Sequence, residues 1–404
     1  MNRQWVARAR MQRGAVLPLV AIGLVVIIGV SGLGLDLGHA YVNKTRLQNA
    51  MDAAALSGAK TLDITNDTGQ AATAARNTFD LTIGATGNAE LDAALSGDDL
   101  TVEFSNTLFT AGTTPARYIR VQNNSFIRPT WLIRVFNVLP GVDFSTITVG
   151  ASAIAGPSPM LAQVCNIAPM MPCGDPALAP SADCPDCLYG YTIGQTVTLK
   201  TGSKSDGWEV GPGNFQLIQL DCGPGGACIR ENMAGSYDQC WTATDTITTK
   251  PGDTVGPTYQ GLCTRFGDAG NCKCTAGLDC SNMYKPDYVT NAGPNSFPDT
   301  FAQYQTDYQN QAWDNPPPTG EPERRVVVVP IGNCTGTVNG QGEVPVLGLG
   351  CFFLTEPPNQ GGKQEIYGEF IGDCNAKGTP GPDPGTGAGP HIIQLYKDPA
   401  SPDA

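Results

Sequence analysis

The stretch GAVLPLVAIGLVVIIGVSGLGL, residues 14–35, contains no ionisable side chain. A helix rises about 1.5 Å per residue, so a helix of this length spans the hydrocarbon core of a bilayer, and we predict a transmembrane helix here. Four arginines and no acidic residue precede it, at positions 3, 8, 10 and 13. Because basic flanks favour the cytoplasm, residues 1–13 are predicted to be cytoplasmic and everything from residue 36 onward to be exported.

A cleaved secretory signal is the alternative interpretation of this stretch. Such signals have a shorter apolar region, followed by a small-x-small cleavage site and a polar mature chain. Here the apolar region is long, and helix-forming residues continue beyond it without a turn signal. The pattern favours a retained anchor. It is equally compatible with a plain membrane anchor that has no role in assembly.

The helical pattern continues outside the apolar stretch. Residues 40–59, AYVNKTRLQNAMDAAALSGA, contain no proline, and their first glycine is Gly58. Apolar residues recur at three- and four-residue steps from Leu47 to Ala55, with polar side chains over much of the remaining surface. We therefore predict one rod, in which an amphipathic helix continues out of the membrane.

Small residues are concentrated in the outer part of this rod. Gly34 and Gly38 have the small-xxx-small spacing that lets membrane helices approach closely. They are the predicted positions for packing against another membrane helix. The same glycines also loosen a helix, so the spacing alone leaves both interpretations open.

Residues 32–59, GLGLDLGHAYVNKTRLQNAMDAAALSGA, resemble the N-terminal signature of TadE/TadG-like proteins of the Flp (tight adherence) pilus assembly system. The matching features are the tripeptide Asp36-Leu37-Gly38, the aromatic Tyr41, and the segments 47–50 and 52–58. The resemblance implies a non-enzymatic, inner-membrane-anchored component of pilus biogenesis, either a minor pilin-like or an accessory subunit. Its implied partners are other pilus assembly or pilin-like subunits.

The chain departs from processed type IV-like pilins at one position. Those pilins place a glutamate five residues after the cleavage point, and cleavage after Gly14 would put Leu19 there. A carboxylate buried in lipid is costly, so a glutamate at this place would have indicated a function. Its absence favours a retained anchor over insertion into a helical filament.

Composition divides the chain in two. Residues 1–158 hold twelve basic and eleven acidic side chains and no cysteine, whereas the rest holds twelve basic and twenty-six acidic side chains and all fourteen cysteines. We expect a pilin-like α+β domain over residues 36–158, a cysteine-rich, loop-dominated region over residues 159–323, and a small β-module with a C-terminal strand over residues 324–404. The acidity argues against nucleic acid or anionic lipid headgroups as partners of the exported part.

An α+β fold is predicted from the order of local patterns. A helix over residues 69–81 precedes strands predicted over 100–104, 118–121 and 145–155, which form a small antiparallel sheet against the exported end of the rod. Residues 131–136, WLIRVF, fit either a strand or a brief amphipathic helix. Residues 156–159, GPSP, predict a linker.

The C-terminal part is predicted to be mostly β. Strands are expected over residues 324–331, 344–354 and 365–371, and residues 391–396 are expected to close that sheet. Between Cys165 and Asn315, proline and glycine are dense and regular elements are short. We expect an irregular insertion there, held together by disulfides.

All fourteen cysteines are disulfide candidates, because their number is even and the exported side is oxidising. They are Cys165, Cys173, Cys184, Cys187, Cys222, Cys228, Cys240, Cys263, Cys272, Cys274, Cys280, Cys334, Cys351 and Cys374. The CxxC of Cys184 and Cys187 also has the spacing of a redox pair or of half a zinc site. Its loop-like surroundings and the isolation of His39 and His391 favour structural disulfides, with the connectivity left open.

No sequence motif for catalysis, a cofactor or a metal was found: GxSxG, HExxH and GxxxxGK[ST] are all absent. A second hypothesis is a membrane-anchored extracytoplasmic hydrolase or carbohydrate-binding protein. It would need an acid pair such as Glu365 with Glu369 or Asp373, brought together by strand alternation. A third hypothesis is a surface adhesin with the same anchor.

Overall fold

The structure is a computed structural model. It describes residues 16–108, 112–138, 140–179, 188–202, 210–211, 213–220, 222, 225–235, 237, 239–242, 246–267, 283–290, 297–336, 339–359, 361–362, 364–381 and 389–400.

The predicted rod is one continuous helix. Helix α1 runs from Val16 to Thr65, 50 residues, which corresponds to about 75 Å at helical rise. Its N-terminal half exposes large apolar side chains, whereas its C-terminal half is buried along the face that carries Leu47, Met51 and Ala55. The apolar stretch and the amphipathic stretch are thus two environments of the same helix.

A second helix packs against the C-terminal half of α1. Helix α2, Thr68–Ile83, confirms the helix predicted over residues 69–81. The Asp67 carboxylate caps it by accepting hydrogen bonds from the backbone N–H groups of Gly69 (2.7 Å) and Gln70 (3.0 Å). Phe79 is fully buried in the core that α1 and α2 share with the first sheet. The short helix α3, Ala89–Asp92, and a 3₁₀ turn, Gly97–Asp99, follow.

The first sheet covers this helix pair. Its order is β1-β2-β3-β16, and all its pairings are antiparallel. The strands are β1 Thr101–Ser105, β2 Tyr118–Pro129, β3 Thr146–Pro157 and β16 Ile393–Tyr396. Between β2 and β3, residues Ile133–Val138 form a 3₁₀ helix, so the helical alternative for the WLIRVF stretch is the correct one.

Two expectations about this sheet are wrong. Residues 156–159 were expected to form a linker, but Gly156 and Pro157 belong to β3 and pair with Gln394 and Ile393. The C-terminal strand was expected to close the second sheet, and it closes the first instead. In both cases a pairing partner more than 200 residues away in sequence decides the structure, and local composition does not report it.

The second sheet contains the apolar strands of the C-terminal part. Its main order is β5-β10-β11-β12-β6, with β9 pairing the start of β11 and β7 pairing β9. The strands are β5 Cys173–Gly174, β6 Thr196–Lys200, β7 Asn214–Ile218, β9 Thr246–Pro251, β10 Val326–Asn333, β11 Glu343–Leu354 and β12 Ile366–Gly372. The three predicted strands are confirmed as β10, β11 and β12. The stretch from Cys165 to Asn315 is not an irregular insertion, because it contributes β5, β6, β7 and β9 to this sheet.

Smaller elements surround this sheet. A further sheet has the order β14-β4-β8, and β13 pairs with β15 in parallel. The elements are β4 Leu161–Cys165, β8 Cys240–Thr242, β13 Cys374–Asn375, β14 Lys377–Pro380, β15 Pro390–His391, helices α4 Gly226–Ala234, α5 Val255–Leu262 and α6 Phe301–Gln309, and 3₁₀ turns Pro176–Leu178 and Cys263–Phe266. The chain is therefore α+β, as predicted.

A buried charge network holds α6 to the second sheet. Arg325 is fully buried, and its guanidinium lies 3.0 Å from the Asp299 carboxylate and 4.3 Å from the centre of the Phe353 ring. The Asp287 carboxylate accepts hydrogen bonds from the Arg325 backbone N–H (2.8 Å) and the Tyr304 hydroxyl (3.0 Å). Burial raises the pKa of Asp287 to about 6, against these donors. Paired in this way, the buried charges satisfy one another.

Candidate assembly site at the base of the long helix

The N-terminal half of α1 is exposed and apolar. Leu19 is 70% exposed, and Ile27 and Val30 are each 65% exposed. In the most apolar window of eighteen residues only 11% is buried inside the protein. By length and composition, α1 is therefore a candidate membrane span. Its exposed N-terminal half is a candidate surface for assembly contacts.

Asp36 marks the point where α1 changes from exposed to buried. Its carboxylate accepts three backbone hydrogen bonds, from the N–H groups of Trp131 (3.1 Å), Leu132 (2.9 Å) and Ile133 (2.8 Å). These N–H groups lie at the start of the 3₁₀ helix, where backbone donors have no acceptor within their own helix. Asp36 thus fixes residues 131–137, which we call the base turn, to the side of α1.

Around Asp36 lies a polar group of side chains centred on Glu90. The Glu90 carboxylate lies 2.9 Å from His39 Nε2 and 3.1 Å from the Arg128 guanidinium, and it accepts a 2.9 Å hydrogen bond from the Asn43 amide. The hydrogen bond from Asn43 lowers the pKa of Glu90, and Arg128 and His39 lower it further. Desolvation acts in the opposite direction. We call Asp36, His39, Asn43, Glu90 and Arg128 the base cluster. It connects α1, α3, β2 and the base turn.

The base turn packs directly on glycines of the apolar stretch. A Cβ atom at Gly29 would overlap the ring of Phe136, and one at Gly32 would lie 2.9 Å from the Leu132 carbonyl carbon. Only glycine allows this close approach. The sequence places both glycines among the small residues of the outer part of the rod, but it did not predict that the base turn packs on them. The signal that could have found them is the apolar WLIRVF stretch, which needs an apolar surface to cover it.

The two predicted packing glycines have a different environment. A Cβ atom at Gly34 or Gly38 would meet no described atom within 4 Å. Their face of α1 is open in the described structure, next to the exposed side chains of Leu35 and Leu37. Packing of another membrane helix there stays a prediction.

The far end of α1 docks onto the C-terminal region. Lys60 Nζ lies 2.6 Å from the Glu323 carboxylate, and His391 Nε2 lies 2.9 Å from the Asp63 carboxylate. Burial raises the pKa of Glu323, and Lys60 opposes this shift. Burial lowers the pKa of His391, but the hydrogen bond and charge of Asp63 outweigh it, so the net shift is upward. Helix α1 is thereby fastened to the C-terminal region as well as to the first sheet.

The acids of the hydrolase hypothesis each have a structural partner. Glu369 accepts a 2.9 Å hydrogen bond from the backbone N–H of Phe301, the first residue of α6. Asp373 lies 2.9 Å from the Arg117 guanidinium, and Glu365 accepts a hydrogen bond from the Tyr367 hydroxyl. In the part of the chain that the structure describes, no three His, Cys, Asp or Glu residues are grouped to hold a metal ion.

The structure pairs eight of the candidate cysteines. The bridges are Cys165–Cys240, Cys173–Cys334, Cys222–Cys228 and Cys351–Cys374. Cys263 is also disulfide-bonded. Cys184, Cys187, Cys272, Cys274 and Cys280 lie outside the described residues, and so does the CxxC motif. Cys165–Cys240 joins the paired strands β4 and β8, and Cys173–Cys334 joins β5 to the residue after its neighbour β10. Cys351–Cys374 joins β11 to β13, and Cys222–Cys228 ties α4 to the segment before it.

In the comparison with known proteins, one family model matches the long helix. Residues 14–61 match the model of the Tad family, TadE/G-like proteins of Flp pilus assembly. This confirms the resemblance seen in the sequence, over the stretch that carries Asp36, His39 and Asn43. No curated protein and no solved structure matches the chain.

Proposed function

We propose that this protein is a membrane-anchored, exported subunit of Flp/Tad pilus assembly, minor pilin-like or accessory, which works by protein–protein contacts and not by catalysis. The observation that carries the proposal is the position of the family match on the structure. Residues 14–61 cover both the exposed apolar half of α1 and its buried half. The matched segment is therefore at once an anchor and part of the core of the exported domain.

The proposed topology places the N-terminus in the cytoplasm and the remainder in the periplasm or at the cell surface. The arginines before residue 14 support this orientation. The disulfides support it independently, because such bridges persist in oxidising compartments. The resemblance to Flp pilus assembly proteins implies that this membrane is the bacterial inner membrane.

The proposed partners are other pilus assembly or pilin-like subunits. The open face of α1 at Gly34 and Gly38 supports a contact between membrane helices, because a helix can approach closely there. The alternatives have less support. The acids of the hydrolase hypothesis are engaged in hydrogen bonds or an ion pair. A surface adhesin would need a ligand-binding face, and no observation on the described residues indicates one.

A deletion strain tests this proposal. We expect loss of piliation, restored by the wild-type gene. Gly34→Leu and Gly38→Leu should fail to restore pili, whereas the matched variant Gly23→Leu, equally open in the structure, should restore them. Normal piliation in the deletion strain would refute the pilus function. Loss of adhesion with pili still present would favour the adhesin.

A further inference from the structure

We propose that the base turn, residues 131–137, together with Phe144, is a second membrane contact that lies in the interfacial layer of the bilayer on the exported side. This inference rests on the proposed membrane anchor. The turn packs on α1 inside the apolar stretch, so a bilayer that surrounds α1 at this depth also meets the turn.

The depth follows from the contact with Gly29. Phe136 covers Gly29, and Asp36, the first charged residue after the apolar stretch, lies seven residues further along α1. Seven residues of helix rise about 10 Å. Interfacial protein segments are buried roughly 5–10 Å into the boundary between headgroups and acyl chains. The lower edge of the turn reaches this depth.

The exposed side chains of the turn suit that environment. Trp131 is 59% exposed, Leu132 38% and Phe144 40%. Tryptophan is enriched at the boundary between membrane and water, where its ring is apolar and its N–H reaches polar groups. The exposed Arg134 carries the charge of the turn. Its long side chain can lie along apolar surface while its guanidinium stays among the headgroups.

A lipid occupant is favoured over a protein by continuity. Near the turn in sequence along α1, Leu33 and Leu35 are 43% and 61% exposed, so apolar side chains are exposed on the helix as well as on the turn. The polar base cluster adjoins the turn, with His39 stacked on Trp131 at 5.1 Å between ring centres. A change from apolar to polar on the side of α1 that carries the turn is the pattern of a membrane boundary.

Brominated lipids test the contact, because bromine quenches a tryptophan that touches it. The full-length chain is reconstituted into phosphatidylcholine vesicles with bromine at a shallow acyl position. All proteins carry Trp5→Phe, which removes the tryptophan at the opposite end of the span. We expect quenching in this background, its loss in Trp131→Phe, and its persistence in the matched control Trp313→Phe. Trp313 packs between Tyr288 and Tyr308 in the C-terminal region.

Alkaline extraction of the same vesicles separates the two proposals. Protein that resists extraction and shows quenching dependent on Trp131 supports the contact. Protein that resists extraction but is not quenched through Trp131 overturns this inference and leaves the anchor intact. Protein released by alkali overturns the anchor and the contact together. In cells, a photocrosslinking residue at Phe144 should capture lipid, and capture of a protein instead would overturn the lipid assignment.

Discussion

Substitution of Asp36 by alanine gives the most direct test of how the base is held together. The variant removes the acceptor for three backbone N–H groups, those of Trp131, Leu132 and Ile133. Trp131 and Leu132 are exposed, so water can replace the carboxylate there. Ile133 is buried, so its N–H loses a partner that water does not replace easily.

The expected cost can be estimated from these three bonds. A hydrogen bond to a charged group contributes about 1.5–3 kcal/mol, and this applies in full to the buried donor. The two exposed donors together resemble the loss of an ordinary helix cap, about 0.5–1 kcal/mol. The free energy of local opening of the base turn should therefore fall by about 2–4 kcal/mol, from these two values.

Amide hydrogen exchange measures this opening directly. At about 1.4 kcal/mol per tenfold, exchange at residues 131–133 should become roughly 30- to 700-fold faster in Asp36→Ala. Asp36→Asn keeps one acceptor oxygen and should show a smaller increase. The matched control is Asp67→Ala, which removes the cap of α2 and should accelerate exchange at Gly69 and Gln70 only.

Equal exchange at residues 131–133 in Asp36→Ala and wild type would refute the capping role of Asp36. Acceleration at these residues by Asp67→Ala as large as that by Asp36→Ala would refute it as well. The first result would mean that packing on Gly29 and Gly32 holds the turn without the cap. The second would mean that the base opens only with the whole domain.

Three further predictions concern the part of the chain that follows the apolar stretch. The raised pKa of His391 means that its bond to Asp63 stabilises the fold below pH 6.5 and that this stabilisation is lost as pH rises through the folded-state pKa. Thermal unfolding measured against pH should show this loss in wild type and not in His391→Gln. Arg325→Met removes the cation beside the buried Asp299 carboxylate and should cost about 3–5 kcal/mol in urea unfolding, partly recovered by adding Asp299→Asn. Phe79→Ala should cost about 3–5 kcal/mol by opening a cavity between α1 and α2, and an unchanged urea midpoint would contradict the packing described.

The sequence predicted those elements whose cause is local. The length of α1 follows from an uninterrupted apolar stretch and a helical period that continues to Ala59. Strand β10 follows from consecutive valines, which favour the extended chain. These signals are contained within the elements themselves, and tertiary contacts reinforce them here.

The parts that could not be predicted depend on distant partners. Asp36 looked like the end of a span, and its function as a cap needs N–H groups almost 100 residues away. The sequence placed Arg325 only in the strand predicted over residues 324–331, and only the fold shows that Asp299 accompanies it into the core. Residues 131–136, WLIRVF, fit the periodicity of a strand and that of a helix equally well. They form a helical turn that packs on the glycines of α1.

The pairing of β16 with β3 has a consequence for biogenesis. The Tyr396 hydroxyl donates to the Pro157 carbonyl, 239 positions earlier, so the first sheet lacks its edge strand until residues 393–396 have been synthesised and have folded back. Until then, β3 presents an unpaired edge to which a foreign strand can pair. Completion of the first sheet therefore waits for residues 393–396.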